Sequence, residues 1–207
     1  SYNNMGYIYR RRKDNRRALE VYGNVEELLK QEDNPELCDA RIRLASAFLE
    51  MGEMDRARDH AMTAFEETEG QMDIVHARAR AVIGRYYAKA KENELAMQYY
   101  SGALDILSDQ TDPHSAVEVA MLLGQVLSDA GRKEEAAEHY IDAMVLAEAN
   151  DFRMLQGELL ARLGEVESDR SQKMDYLQRS LTVFRDLGAV DRMLEVQASV
   201  HLAVMGN

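Results

Sequence analysis

Apolar positions along the chain follow helical spacing, and the pattern itself recurs. A small residue stands at Gly6, Ala45, Gly84, Gly124, Gly164 and Ala203, at intervals of 39, 39, 40, 40 and 39 residues. Leucine, isoleucine or methionine precedes it each time, at Met5, Leu44, Ile83, Leu123, Leu163 and Leu202. Three positions after this landmark come Tyr9, Phe48, Tyr87 and Leu127, and twelve after it come Ala18, Ala57, Ala96 and Ala136. Tyr22, Ala61, Tyr100 and Tyr140 follow at sixteen, and Val25, Ala64, Ala103 and Ala143 at nineteen. Residues three or four apart share one face of a helix. Each copy therefore reads as two helices, the first carrying the landmark and the residue three beyond it. The second carries positions 12, 16 and 19.

Breaks separate the two helices. They fall at Arg12–Asn15, Met51–Met54, Ala90–Asn93 and Ala130–Lys133. Gly52 and Gly131 are placed to end a helix in the left-handed conformation. Asn15 and Asn93 are placed to join the turn or to cap the next helix. Small residues at the landmark and at position 12 let the paired helices approach closely, with aromatics filling the space beside them. Such a unit hides its apolar face only against its neighbours.

The series Met5-Gly6…Tyr9…Ala18…Tyr22 and its copies resemble the tetratricopeptide repeat family, most cleanly at Ile83-Gly84…Tyr87…Ala96…Tyr100…Ala103. The resemblance spans nearly the whole chain. Its period of 39–40 residues exceeds the usual length of about 34, so each helix pair is longer. Such long-helix variants look like those in bacterial regulator sensor domains and in animal polarity and kinesin-light-chain scaffolds. The resemblance implies an all-α, right-handed α-solenoid (superhelix) of about five helix-turn-helix repeats plus a C-terminal helix. The chain reads as one repeat domain over residues 1–207, with repeats near 1–33, 34–72, 73–111, 112–150 and 151–188 and a terminal helix at 191–205. Its opening residues look like the middle of a helix, so the chain reads as a piece of a longer protein.

The fifth copy departs from the pattern. Glu167 stands where the aromatic is expected, and Tyr176 at the alanine position. Aligning Leu177, Ser180 and Leu181 with the second helix implies a turn about three residues shorter, with helices near 153–168 and 172–186. The last segment, Asp191–Met205, reads as a first helix without a partner.

Composition narrows the function classes. The net charge of −12 gives no general attraction for nucleic acid or an anionic membrane. No apolar run approaches the roughly 18 residues of a spanning helix. The single cysteine, Cys38, allows no internal disulfide, which fits a cytoplasmic protein. The five histidines lie outside any two-histidine helical spacing, so no metal site and no cofactor are expected. No phosphate loop or nucleophile elbow occurs. Catalytic residues are not expected, and the chain is not read as an enzyme. Cys38 reads as a packed thiol, Glu66-Glu67 and Glu134-Glu135 as solvated surface, and Met5, Met97 and Met144 as core.

In the family, ligands lie along the concave face lined by first helices. Carried over to this chain, that face takes Asn3, Asn4, Tyr7, Arg10 and Arg11; Asp39, Ile42, Arg43, Ser46, Leu49 and Glu50; and Arg78, Ala81, Val82, Arg85, Ala88 and Lys89. Further along it takes Glu118, Met121, Leu122, Gln125, Ser128 and Asp129, then Glu158, Ala161, Arg162, Glu165, Ser168 and Asp169. The first three copies hold six basic and two acidic residues, while the last two hold one basic and five acidic. A basic groove in an acidic chain points to carboxylate or phosphate recognition, for which arginine is suited. The expected peptide-binding residues are Asn3, Asn4, Tyr7, Arg10, Arg43, Arg78, Val82, Arg85, Lys89, Met121, Leu122 and Gln125. The lysine–asparagine pair of the chaperone-tail clamp is absent.

The function expected is a protein–protein interaction scaffold that binds a peptide or partner segment in its concave groove, with an acidic segment suited to the basic copies. The alternative is a regulatory or sensor repeat domain of a larger signalling or transcription-regulator protein. A homo-oligomer through exposed array ends is a further expectation, using Tyr2, Ile8 and Tyr9 at one end and Val196, Val200 and Val204 at the other.

Overall fold

A computed structural model describes residues 6, 8, 9, 12, 14–31, 36–70, 73–108 and 112–205. These are all-α: ten helices, and no strand among the described residues. The contacts divide the chain into two compact units, Ser1–Gln110 and Thr111–Asn207. The first unit holds α1 (Asn15–Gln31), α2 (Leu37–Met51), α3 (Met54–Glu67), α4 (Ile74–Lys89) and α5 (Asn93–Ser108). Gly6, Ile8 and Tyr9 are also helical. The second holds α6 (Pro113–Asp129), α7 (Lys133–Ala149), α8 (Arg153–Val166), α9 (Arg170–Asp186) and α10 (Val190–Met205).

The packing within each unit repeats. Helices pair as hairpins, α2 with α3, α4 with α5, α6 with α7 and α8 with α9. Each second helix then packs on the next first helix, as α1 on α2, α3 on α4, α7 on α8 and α9 on α10. First helices also touch, α2 with α4 and α6 with α8.

The turns inside the hairpins share one design. Seven residues past the landmark the backbone is left-handed, with φ of 78° at Gly52, 65° at Lys91 and 82° at Gly131. The following N–H donates back across the turn, from Glu53 to Phe48 O, Glu92 to Tyr87 O and Arg132 to Leu127 O, at 2.8–3.0 Å. This closes the last carbonyls of the first helix. It also places Asn15 and Asn93 inside the first turn of the second helices rather than at their caps. Before α1 the cap is Asp14, whose carboxylate accepts from Arg17 N at 3.3 Å. Asp73, Asp112 and Asp169 cap α4, α6 and α9 in the same way.

The landmark has a specific partner. A Cβ on Gly6, Gly84 or Gly124 would meet the ring of Tyr22, Tyr100 or Tyr140 at 2.3, 2.7 and 2.4 Å. The glycine is there because the tyrosine sixteen residues on lies flat against its helix, fully buried. In the second repeat both members change together, to Ala45 and Ala61.

The fifth hairpin shows where its three residues are lost. Its connection, 167–169, is three residues long, as are 90–92 and 130–132. The first helix is what shortens: α8 ends two residues past Gly164, whereas α4 and α6 end five past their landmarks. Leu177 thereby takes the tyrosine's place over Gly164, with its Cγ 2.9 Å from where a Cβ would stand. Glu167, at the aromatic position, falls beyond the helix, and its carboxylate accepts from Asp169 N at 2.8 Å.

Candidate functional site

Among the expected groove residues, Asn3, Asn4, Tyr7 and Arg10 lie outside the described residues. In the first unit the facing sides of α2 and α4 carry Arg43, Arg78 and Arg85 in two ion-pair groups, with Lys89 further along α4. Two carboxylates stand among them. Asp39 receives Arg43 Nε at 2.7 Å from its own helix and Arg78 Nη1 at 3.7 Å from α4. Glu50 faces Arg85 Nη2 at 3.8 Å, again across the two helices. Lys89 is exposed at the end of α4. All of these side chains keep contact with solvent, so each pair is worth about 0–1 kcal/mol. They orient the guanidinium groups without locking them.

The apolar strip expected beside them is largely absent in this unit. Val82, Ile42 and Leu49 are buried in its core, because first helices pack against one another along that line. In the second unit Met121 and Leu122 are half-buried on α6, and Gln125 donates to Asp129 at 2.8 Å. There the same helix face is mostly acidic, with Arg162 paired to Glu165 at 3.0 Å.

A second constellation was not foreseen. Arg41, with 12% of its side chain exposed, lies between Glu26 of α1 and Glu67 of α3. Its Nε sits 3.4 Å from Glu26, which Lys30 also approaches at 3.2 Å and His60 at 3.7 Å. Cys38 donates to Glu67 at 3.3 Å. Glu67 is therefore a partner in this cluster, whereas Glu66, Glu134 and Glu135 face solvent as expected. Burial and the Glu67 carboxylate push the Cys38 thiol up to about 11, which makes it a poor nucleophile at neutral pH. One repeat later Arg80 takes the place of Arg41 and lies over Phe65, 5.3 Å from the ring centre. Its Nε donates to Nε2 of the buried His76 at 3.1 Å, so the ring proton is on Nδ1, facing Thr68 at 2.9 Å. Burial and the Arg80 charge lower the His76 pKa. Both clusters tie successive helices together.

The two ends also differ from expectation. Val196 is buried and Val200 half-buried against α9, because α10 turns that face inward. The apolar residues that α10 exposes are Val190, Leu194, Leu202, Val204 and Met205. At the other end Tyr9 packs into the first unit, Ile8 is exposed, and Tyr2 lies outside the described residues. Met97 is buried and Met144 half-buried, while Met5 also lies outside them. Among the described residues no three His, Cys, Asp or Glu side chains are grouped to hold a metal ion. No described helix is long and apolar enough to cross a membrane.

No protein-family model matches the chain, and no curated protein matches it by sequence. Solved structures do. A Rap protein complexed with competence and sporulation factor aligns over 98% of this chain at 13% identity, with a TM-score of 0.88. The chain spans 58% of that protein's length. A signal-transduction ATPase with a tetratricopeptide repeat sensor, from Pyrococcus horikoshii, aligns over 98% of this chain and 32% of its own, at 16% identity and a TM-score of 0.79. Bacillus thuringiensis PlcR, in complex with the peptide PapR7 and DNA, aligns over 99% and 73%, at 16% identity and a TM-score of 0.77. The chain has the tetratricopeptide-like helical-repeat fold.

Proposed function

We propose that this chain is a non-catalytic interaction domain that binds an acidic peptide or partner segment through the α2/α4 face of its first unit. The observation that supports the reading is the row of Arg43, Arg78 and Arg85 on the facing sides of α2 and α4, with Lys89 exposed at the end of α4, in a chain of net charge −12. Guanidinium groups already aimed by weak, solvent-exposed pairs lose little on exchanging Asp39 or Glu50 for a ligand carboxylate. The setting in this reading is cytoplasmic.

Fluorescence polarisation with a labelled Asp/Glu-rich peptide tests it. Affinity falls as salt rises from about 50 to 300 mM, since exposed charge pairs are screened. Replacing Arg43, Arg78 and Arg85 with alanine lowers it about tenfold or more. Asp39→Ala, which removes the internal competitor, raises it. Affinity indifferent to the triple substitution sinks the proposal.

A second reading has its own support. The chain spans 58% of the Rap protein and 32% of the ATPase that carries a repeat sensor. In this reading it is the sensor part of a longer regulator, and peptide binding is coupled to a neighbouring domain.

A further inference from the structure

The shortened fifth repeat leaves an opening in the second unit. A cavity of about 470 Å³ lies at the truncated end of α8, between the start of α9 and the last turns of α10. In the other repeats the first helix runs one turn further and carries Phe48, Tyr87 or Leu127 inward. Here that turn does not exist, and Glu167 is drawn off to the Asp169 backbone.

The walls combine two chemistries. Leu202 and Ala203 supply apolar surface, over the buried Leu177. Arg170 and Lys173 supply positive charge, with Ser168 and Ser199 as hydroxyl donors. Arg170 is held in place by donating Nη2 to Val204 O at 3.1 Å, which also fixes the end of α10. The acidic groups nearby are already engaged. Glu165 pairs with Arg162 at 3.0 Å, Glu167 accepts from Asp169 N, and Asp169 accepts from Gln172 N at 2.9 Å.

We propose that this cavity binds a small organic carboxylate with a compact apolar body. The carboxylate meets Lys173 and Arg170, and the body lies on Leu202 and Ala203, above the buried Leu177, at the truncated end of α8. Charge selects the head group: Arg170 and Lys173 outnumber the one carboxylate among the lining residues, Glu165, which itself pairs with Arg162. Volume selects the body, since about 470 Å³ suits a small molecule rather than a folded segment. The site lies in the other unit from the α2/α4 face, so either proposal stands if the other fails.

The probe is 3-phenylpropionate, with 3-phenylpropan-1-ol as its uncharged counterpart. Methyl NMR of the full chain reads the Leu177, Leu202 and Ala203 signals during titration. Expected is a saturable shift of all three with the carboxylate, and binding of the alcohol weaker by about tenfold. Lys173→Gln, on a partly exposed side chain, lowers carboxylate affinity to a similar degree while the melting temperature is kept. Ser199→Leu, which fills the cavity, abolishes the shift at Leu177. Absence of a saturable shift up to about 10 mM overturns the proposal, because fragments of this size bind more tightly in a fitting pocket. Equal binding of acid and alcohol overturns it as well.

Discussion

Gly84→Ala is the sharpest test of how the repeats close. A Cβ at this position would stand 2.7 Å from Cε1 and 2.8 Å from Cδ1 of Tyr100. Comfortable carbon contacts begin at about 3.5 Å, so ring and helix must part by most of an ångström. Tyr100 is 1% exposed and has no solvent-facing alternative. Overpacking of this kind costs about 1–3 kcal/mol. Against it stands the better helix propensity of alanine, about 1 kcal/mol. The net loss is about 1 kcal/mol, or a melting temperature lower by roughly 2–4 °C in a chain of this length. In the Tyr100→Ala background the obstruction is gone and the same substitution stabilises by about 1 kcal/mol. Urea unfolding of the four proteins gives a coupling of about 1–3 kcal/mol. The second repeat supplies the control. Ala45, fully buried opposite Ala61, becomes destabilising when changed to glycine, the reverse substitution with the same sign. If Gly84→Ala stabilises equally in both backgrounds, the tyrosine does not rest on the glycine and the packing derived above is wrong.

Three other predictions follow from the geometry. Lys91→Gly relieves a left-handed residue at a place where Gly52 and Gly131 already stand, and raises stability by about 1 kcal/mol in denaturant titration. Arg41→Ala removes the cation shared by the buried Glu26 and the exposed Glu67, while Lys30 and His60 remain beside Glu26, and costs about 1–2 kcal/mol by the same assay, against near-neutral Arg58→Ala on the surface. His76 and His60 both have lowered pKa values, chiefly through burial, so the unfolded chain takes up protons first as pH falls below about 6.5. Stability is therefore full above that pH and declines below it; a His60→Gln/His76→Gln variant has a flatter profile between pH 7 and 5 in thermal melts.

Much of the fold is legible because it repeats. The 39–40-residue interval exposes the landmark, and the landmark exposes the hairpin. Even the substitution of Gly–Tyr by Ala45–Ala61 is visible as a paired change, once the contact is known. What the sequence conceals occurs once. Arg41 meets Glu26 and Glu67 only because three successive helices bring three different repeat positions to one place. The arginine recurs one repeat on as Arg80, but Phe65 and Ile106 stand where its acidic partners would, so periodicity does not flag that junction. Val82 shows that repeat position alone does not decide exposure: it is buried in the core, whereas Arg43, at the same position one repeat earlier, keeps contact with solvent. The shortened fifth repeat was seen in the sequence as a register shift of three. The structure takes the three residues from α8, which ends two residues past Gly164, and leaves a three-residue connection like those at 90–92 and 130–132.

The tyrosine-on-glycine contact lies wholly within a hairpin. It makes the α4/α5 and α6/α7 hairpins stiff tiles, whereas the joints between successive tiles are bridged partly by side chains of opposite charge. Asp39 is such a bridge, clasping Arg43 on one tile and Arg78 on the next. A carboxylate that competes for those two arginines therefore works as a lever on the joint, and occupancy of the face and the bend between the two tiles become a single mechanical variable.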